Sequence, residues 1–172
     1  MKPYDDVWAD DWYGEYVLWV SENHLMNGVD TDRFAPNDAA TREQSMTILA
    51  RAVDHGEHNF TLDDGVAWAV EGGVSDGQNR TDTLTREQFV TMLWRMMTLR
   101  GHDVSLEENV SLSGYRDAAN VSAWAADAMR WAVGNGIVNG MGDESLAPQG
   151  RVSRAQMAAM LYRCVATLTP RT

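Results

Sequence analysis

Cysteine is nearly absent, with Cys164 the single one in 172 residues. That excludes an internal disulfide framework and any cysteine-based zinc site. Basic residues are scarce too, 14 against 25 acidic ones, for a formal net charge of −11. Nonspecific binding to nucleic acid needs a basic surface, and adhesion to an anionic membrane needs one as well. Neither partner is expected. No run approaches about 18 consecutive apolar residues, so membrane insertion is not expected either. No basic start with an apolar stretch follows Met1, so no signal peptide is read; the chain reads as cytoplasmic or as a mature piece of a longer exported protein. With 44% hydrophobic and 23% charged residues, the acidity does not signal disorder.

What is present is repetitive. Thr41-Arg42-Glu43-Gln44, Thr85-Arg86-Glu87-Gln88 and Ser153-Arg154-Ala155-Gln156 each read as a capping box, a signature of a helix start. Apolar residues follow each box at helical spacing: Met46, Leu49, Ala50, Val53; Val90, Leu93, Trp94, Met97; Ala158, Leu161, Tyr162, Val165. This predicts three amphipathic helices. A second arginine recurs nine residues after the first, as Arg51, Arg95 and Arg163. Upstream, Trp12, Tyr16, Trp19 and Val20, and again Trp124, Ala128, Trp131 and Ala132, predict a further helix, with Asp10 and Ser122 as N-caps. The middle copy keeps only Trp68, in a shortened element near residues 63–71. Nine residues after Trp19, Trp68 and Trp131 come the turn signals Asn27-Gly28, Asp76-Gly77 and Asn139-Gly140.

These spacings divide the chain into three helix–loop–helix units: 1–54, 55–100 and 101–172. In the third, the core spans about 114–168 and the polar stretch 100–113 reads as a linker. One such unit cannot bury its apolar face alone. Charge is uneven, at −7, −3 and −1 over the three units. Any anion site must therefore rest on a few placed cations.

Arg42, Arg86 and Arg154 follow their caps directly, where the helix dipole disfavours a cation by about 0.3–1 kcal/mol. Free N–H groups and a guanidinium at one helix end make an anion site, and arginine grips a carboxylate with two parallel hydrogen bonds. The competing reading is structural, each arginine pairing with an acid of a neighbouring unit. Trp19, Trp68 and Trp131 read as core. Trp12 and Trp124, one turn inside their helices, could stack on a sugar ring or cover a groove floor. Asn27, Asp76 and Asn139 serve the turns, with a bond to sugar hydroxyls as the second reading. Met92, Met96, Met97, Met157 and Met160 read as core filler. His55-x-x-His58 has metal-like spacing but no third ligand in sequence, and reads as a solvated loop. Asp30-x-Asp32 lacks the remainder of a calcium loop. No metal, no cofactor and no catalytic constellation are expected.

Tyr4-x-Asp6-Val7, Trp12, Trp19, Asn27-Gly28, Phe34-x-Pro36 and Thr41-Arg42-Glu43-Gln44 together resemble a bacterial S-layer homology domain. Tyr115-x-Asp117, Trp124, Trp131, Asn139-Gly140, Pro148 and Ser153-Arg154-Ala155-Gln156 repeat the pattern. The resemblance implies an all-α fold, three repeats forming a pseudo-trimeric helical bundle. It implies a monomer with internal pseudo-threefold symmetry, at the bacterial cell surface. It also implies a non-catalytic module that anchors exported proteins by binding a secondary cell-wall polysaccharide, commonly pyruvylated, in grooves between repeats. The candidate contacts are Arg42, Arg86 and Arg154, with Trp12, Trp124, Asn27, Asp76, Asn139, Gly28, Gly77 and Gly140. The alternative is a structural protein–protein module for surface-layer assembly.

Overall fold

The periodic segments fold as six helices: α1 (Gly14–Glu22), α2 (Arg42–Val53), α3 (Leu62–Glu71), α4 (Arg86–Leu99), α5 (Ala126–Gly134) and α6 (Arg154–Leu161). The coordinates are a computed structural model that describes residues 4–106, 109–141 and 143–168. The fold is all-α. All three expected capping boxes close: the hydroxyls of Thr41, Thr85 and Ser153 accept from the amides of Gln44, Gln88 and Gln156, whose side chains accept from the cap amides in return. A fourth box, Thr61 with Asp64, starts α3.

The first helices begin later than their aromatic spacing suggests. The N-cap of α1 is Tyr13, not Asp10. Asp11 accepts from the Trp8 amide at 2.8 Å, closing a turn that competes with helix. Trp12 therefore precedes α1, and Trp124 lies in a single 3₁₀ turn, Ala123–Ala125, ahead of α5. Ser122 flanks that turn, but its hydroxyl accepts from no cap amide and instead donates to Glu87 at 2.7 Å, a charge-assisted bond that orients it towards the carboxylate. At ten residues α3 is no shorter than α1 or α5, each nine. The middle unit has lost the turn that carries the leading tryptophan, not helix.

The units interlock. The close helix pairs are α2 with α3, α4 with α5 and α6 with α1, so each second helix lies on the first helix of the next unit and the third returns to the first. Backbone bridges Thr41–Thr83, Thr85–Arg151 and Ala39–Ser153 follow the same circuit. Inside the ring Met46, Leu49, Leu93, Met96, Met97, Trp131 and Leu161 are buried, as are Met92, Met157 and Met160. Trp19 and Trp68 pack against this core while partly exposed. The stretch read as a linker is tied down where described: Trp94 Nε1 donates to the Val104 carbonyl at 3.1 Å, and Arg130 Nε to that of Val110 at 3.2 Å. Residues 107 and 108 lie outside the described residues.

The residue just past the C-cap of α1, α3 and α5 is left-handed in all three: His24 (φ +58°), Gly73 (+71°) and Gly136 (+72°). His24 is exposed and carries a strain that its glycine counterparts escape. His24→Gly is expected to raise stability by about 1 kcal/mol, read as a higher urea midpoint.

Candidate ligand-binding grooves

Nine residues on an α-helix are two and a half turns, so the two arginines of α2 and of α4 point to opposite sides; Arg163 lies just past α6, in a π-helical turn, Tyr162–Ala166. The first arginine crosses to the next unit. Arg42 Nε donates to the Gln78 carbonyl at 3.0 Å, Arg86 Nε to that of Leu146 at 2.8 Å, and Arg154 Nε to that of Phe34 at 2.8 Å. The helix-start amides do the same. Those of Arg42 and Glu43 donate to Asp82 and Arg80, those of Arg86 and Glu87 to Gly150 and Pro148, and those of Arg154 and Ala155 to Asp38 and Pro36, all at 2.8–3.0 Å. With the third amide held by the cap, none of these three helix starts keeps the free N–H groups expected of an anion site. Each cation at a dipole-disfavoured position instead faces loop carbonyls.

The second arginine turns back. Arg95 Nη1 donates to the Val74 carbonyl at 3.0 Å and Arg163 Nη1 to that of Ile137 at 3.1 Å, both in their own unit's loop. Arg51 departs from the pattern and reaches Phe60 O at 2.9 Å and Asn59 Oδ1 at 3.3 Å.

One groove forms at each junction, and each combines an arginine pair from two units. The first, about 160 Å³, is lined by Arg154, Arg51, Asn27, Gln44 and Leu62. The second, about 310 Å³, holds Arg42, Arg95, Ser75, Asp76 and Trp124. The third, about 410 Å³, holds Arg86, Arg163, Asn139, Gly140, Met141 and Trp12. The third unit of the chain supplies the tryptophan of the second groove, and the first unit that of the third groove. These rings are 55% and 59% exposed. The middle unit offers only Leu62 to the first groove.

The structure therefore gathers nine of the eleven sequence candidates into grooves. Gly28 and Gly77 line none of them. Gly77 and Gly140 take left-handed φ of +74° and +82°, as the turn signal requires. Gly28 does not; a Cβ there would sit 2.6 Å from the Tyr4 ring, so its need is space. The second arginines were visible as a ninefold spacing but were not placed in the site by sequence, because which groove they serve depends on interlocking.

Asp6 and Asp117 were visible only as motif letters. Asp6 accepts from the amides of Phe34 and Ala35, both at 2.8 Å, and Asp117 from those of Leu146 and Ala147 at 2.8 and 2.9 Å. Burial pushes both carboxyls up, but the amide bonds outweigh it and hold them below the usual carboxylate value. They fix the residues whose carbonyls receive Arg154 and Arg86.

Elsewhere, Asp30 spends its carboxylate on the amides of Asp32 and Arg33 at 3.0 and 2.7 Å. His58 meets Asp54 and Glu57, with potential ligand atoms within 4.8 Å of one another. His55 is not in that group. Asp54 accepts from both the amide and the ring Nδ1 of His58, at 2.6 and 2.8 Å.

Interlocked helix pairs with a groove at each junction define a small repeat-built helical module. The chain belongs to the S-layer homology domain family, whose model matches residues 3–44 and 114–158. Modules of this family are non-catalytic and anchor surface proteins at the cell wall. Relatives include an amylopullulanase of Thermoanaerobacterium thermosulfurigenes, 24% identical over 94% of this chain and 9% of the relative. Exoglucanase XynX of Acetivibrio thermocellus is 23% identical over 92% of this chain and 16% of the relative. A surface-layer 125 kDa protein of Lysinibacillus sphaericus is 26% identical over 94% and 10%. The chain thus spans between 9% and 16% of the length of these proteins. Among solved structures, an undecaheme cytochrome from the S-layer of Carboxydothermus ferrireducens aligns at TM-score 0.43 and 16% identity, over 78% of this chain and 23% of that one.

Proposed function

We propose that this chain anchors a surface protein by holding an acidic secondary wall polysaccharide, one carrying a carboxylate such as a pyruvate ketal, in the grooves between its units. The segment 55–100 serves as a third, eroded repeat, since it supplies a capped Arg86 and an Arg95 in register with its neighbours. The observation that carries the reading is the convergence of arginines from different units into grooves of a chain whose net charge is −11. Guanidinium pairs suit a carboxylate, and an exposed tryptophan at the groove wall suits the apolar face of a sugar ring.

Calorimetric titration with purified wall polysaccharide tests this. The native polymer is expected to bind at least tenfold more tightly than polymer stripped of its pyruvate by mild acid, about 1.4 kcal/mol or more. Equal affinity for both polymers would overturn the carboxylate mechanism, and no binding of either would overturn the function.

A further inference from the structure

The three grooves are built alike, yet their charges are disposed differently. In the first groove, Arg154 spends Nε on Phe34 and Nη2 on the Asn27 carbonyl at 2.6 Å, with its guanidinium 4.6 Å from the centre of the Phe34 ring. Arg51 turns Nη2 to Phe60 and Asn59, although its buried Nε has no partner among the described residues, and Leu62 stands where the others have tryptophan. In the second groove the turn residue is Asp76, where the sister units have asparagine. It pairs with Arg42 at 3.4 Å, so this groove already contains a carboxylate.

The third groove has no such occupant. Arg86 is only 4% exposed, and among the described residues its side chain makes a single hydrogen bond, through Nε. Among the described residues, neither Arg86 nor Arg163 has an acid within ion-pair distance. Asp117 attracts Arg86 from further off, but both its oxygens are engaged by loop amides. Burial and the nearby Arg163 guanidinium both press against the charge of Arg86. A buried cation beside a second cation, without a counter-ion, is costly, and a bound carboxylate offsets that cost. Trp12 stands exposed at the same groove, and Asn139 offers a neutral amide where Asp76 offers a charge.

We infer that the ligand's acid group is taken in one groove alone, the one walled by Arg86, Arg163, Asn139 and Trp12. Asp76 closes the second groove to acids by occupying its arginine, and in the first groove Arg154 and Nη2 of Arg51 are turned to loop acceptors with no tryptophan at the wall. The inference rests on the acidic-glycan reading and adds stoichiometry and location to it.

The test titrates a methyl hexopyranoside carrying a pyruvate ketal into the full chain. Wild type is expected to bind one equivalent. Trp12→Ala is expected to weaken binding at least tenfold, and Trp124→Ala to leave it unchanged; both rings are exposed, so neither change threatens the fold. Asp76→Asn is expected to add a second equivalent. Its side-chain oxygen also accepts from the Gln78 amide at 3.0 Å, which asparagine can still do, as a turn residue should. Two or three equivalents in wild type, or an effect of Trp124→Ala equal to that of Trp12→Ala, would overturn the single-groove assignment; one equivalent in Asp76→Asn would overturn the blocking role of Asp76; each leaves the glycan reading standing. Absence of binding by every variant and wild type would overturn both.

Discussion

Replacing Asp6 and Asp117 together by alanine is expected to cost about 4 kcal/mol or more of unfolding free energy, since each substitution strands two backbone amides at about 1–3 kcal/mol apiece. That is a large share of the roughly 5–15 kcal/mol available to a domain. The site of the damage explains the size. Phe34 and Leu146 are fully buried, and the next residue in each loop, Ala35 or Ala147, holds φ at +56° or +47°. An alanine does not choose that conformation. The carboxylate imposes it by binding both successive amides, and the carbonyls of Phe34 and Leu146 between them receive Arg154 and Arg86. Loss of the acid loosens the loop and, through it, the junction with another unit.

The same carboxylates set an acid limit. Their folded-state values lie below the ordinary one, so the stabilisation is present above the unfolded value, about 3.9, and fades as pH falls through the folded value. Urea midpoints at neutral pH are expected to drop sharply in the double variant. Between about pH 4 and pH 2 the wild type should lose stability more steeply than the variant, which no longer carries these two groups. Equal slopes would show that other carboxylates govern acid unfolding.

The helices were legible because their signals are local. Thr41, Thr85 and Ser153 announce helix starts within four residues, and the apolar spacing after them needs no knowledge of the rest of the chain. The late starts of α1 and α5 were not legible, because the Asp11 turn and the Glu87–Ser122 bond override the aromatic periodicity. The grooves were legible in part. Sequence named the first arginines, the tryptophans and the turn residues, but read the arginines as facing free helix ends. Their true partners are carbonyls 36, 60 and 120 residues away. No spacing reveals that Trp12, Arg86 and Arg163 share one groove; it follows only from the circuit α2–α3, α4–α5, α6–α1.

That circuit has one closing step, and Arg154 sits on it. Its bonds to Phe34 and Asn27 join residues more than 100 positions apart, tying the third unit to the first. Arg154→Ala is expected to cost about 3 kcal/mol, from two carbonyls losing a charged donor, a lost guanidinium–ring contact of about 1 kcal/mol and the void left by a side chain only 7% exposed. Arg42→Ala should cost about 1 kcal/mol or less, since its partner Asp76 is exposed. Lysine at 154 should restore little, because a single ammonium cannot reproduce the forked reach to two carbonyls at once. Urea unfolding of the three variants measures this order directly. Binding measured below the transition separates the roles further: folded Arg154→Ala should still hold a pyruvylated sugar, because Arg154 Nε and Nη2 are turned to loop carbonyls rather than to the proposed ligand groove. The equivalent arginine of the middle unit, Arg86, keeps its terminal nitrogens uncommitted. One position repeated three times thus closes the ring at 154, pairs with Asp76 at 42 and, on the single-groove proposal, faces the ligand at 86.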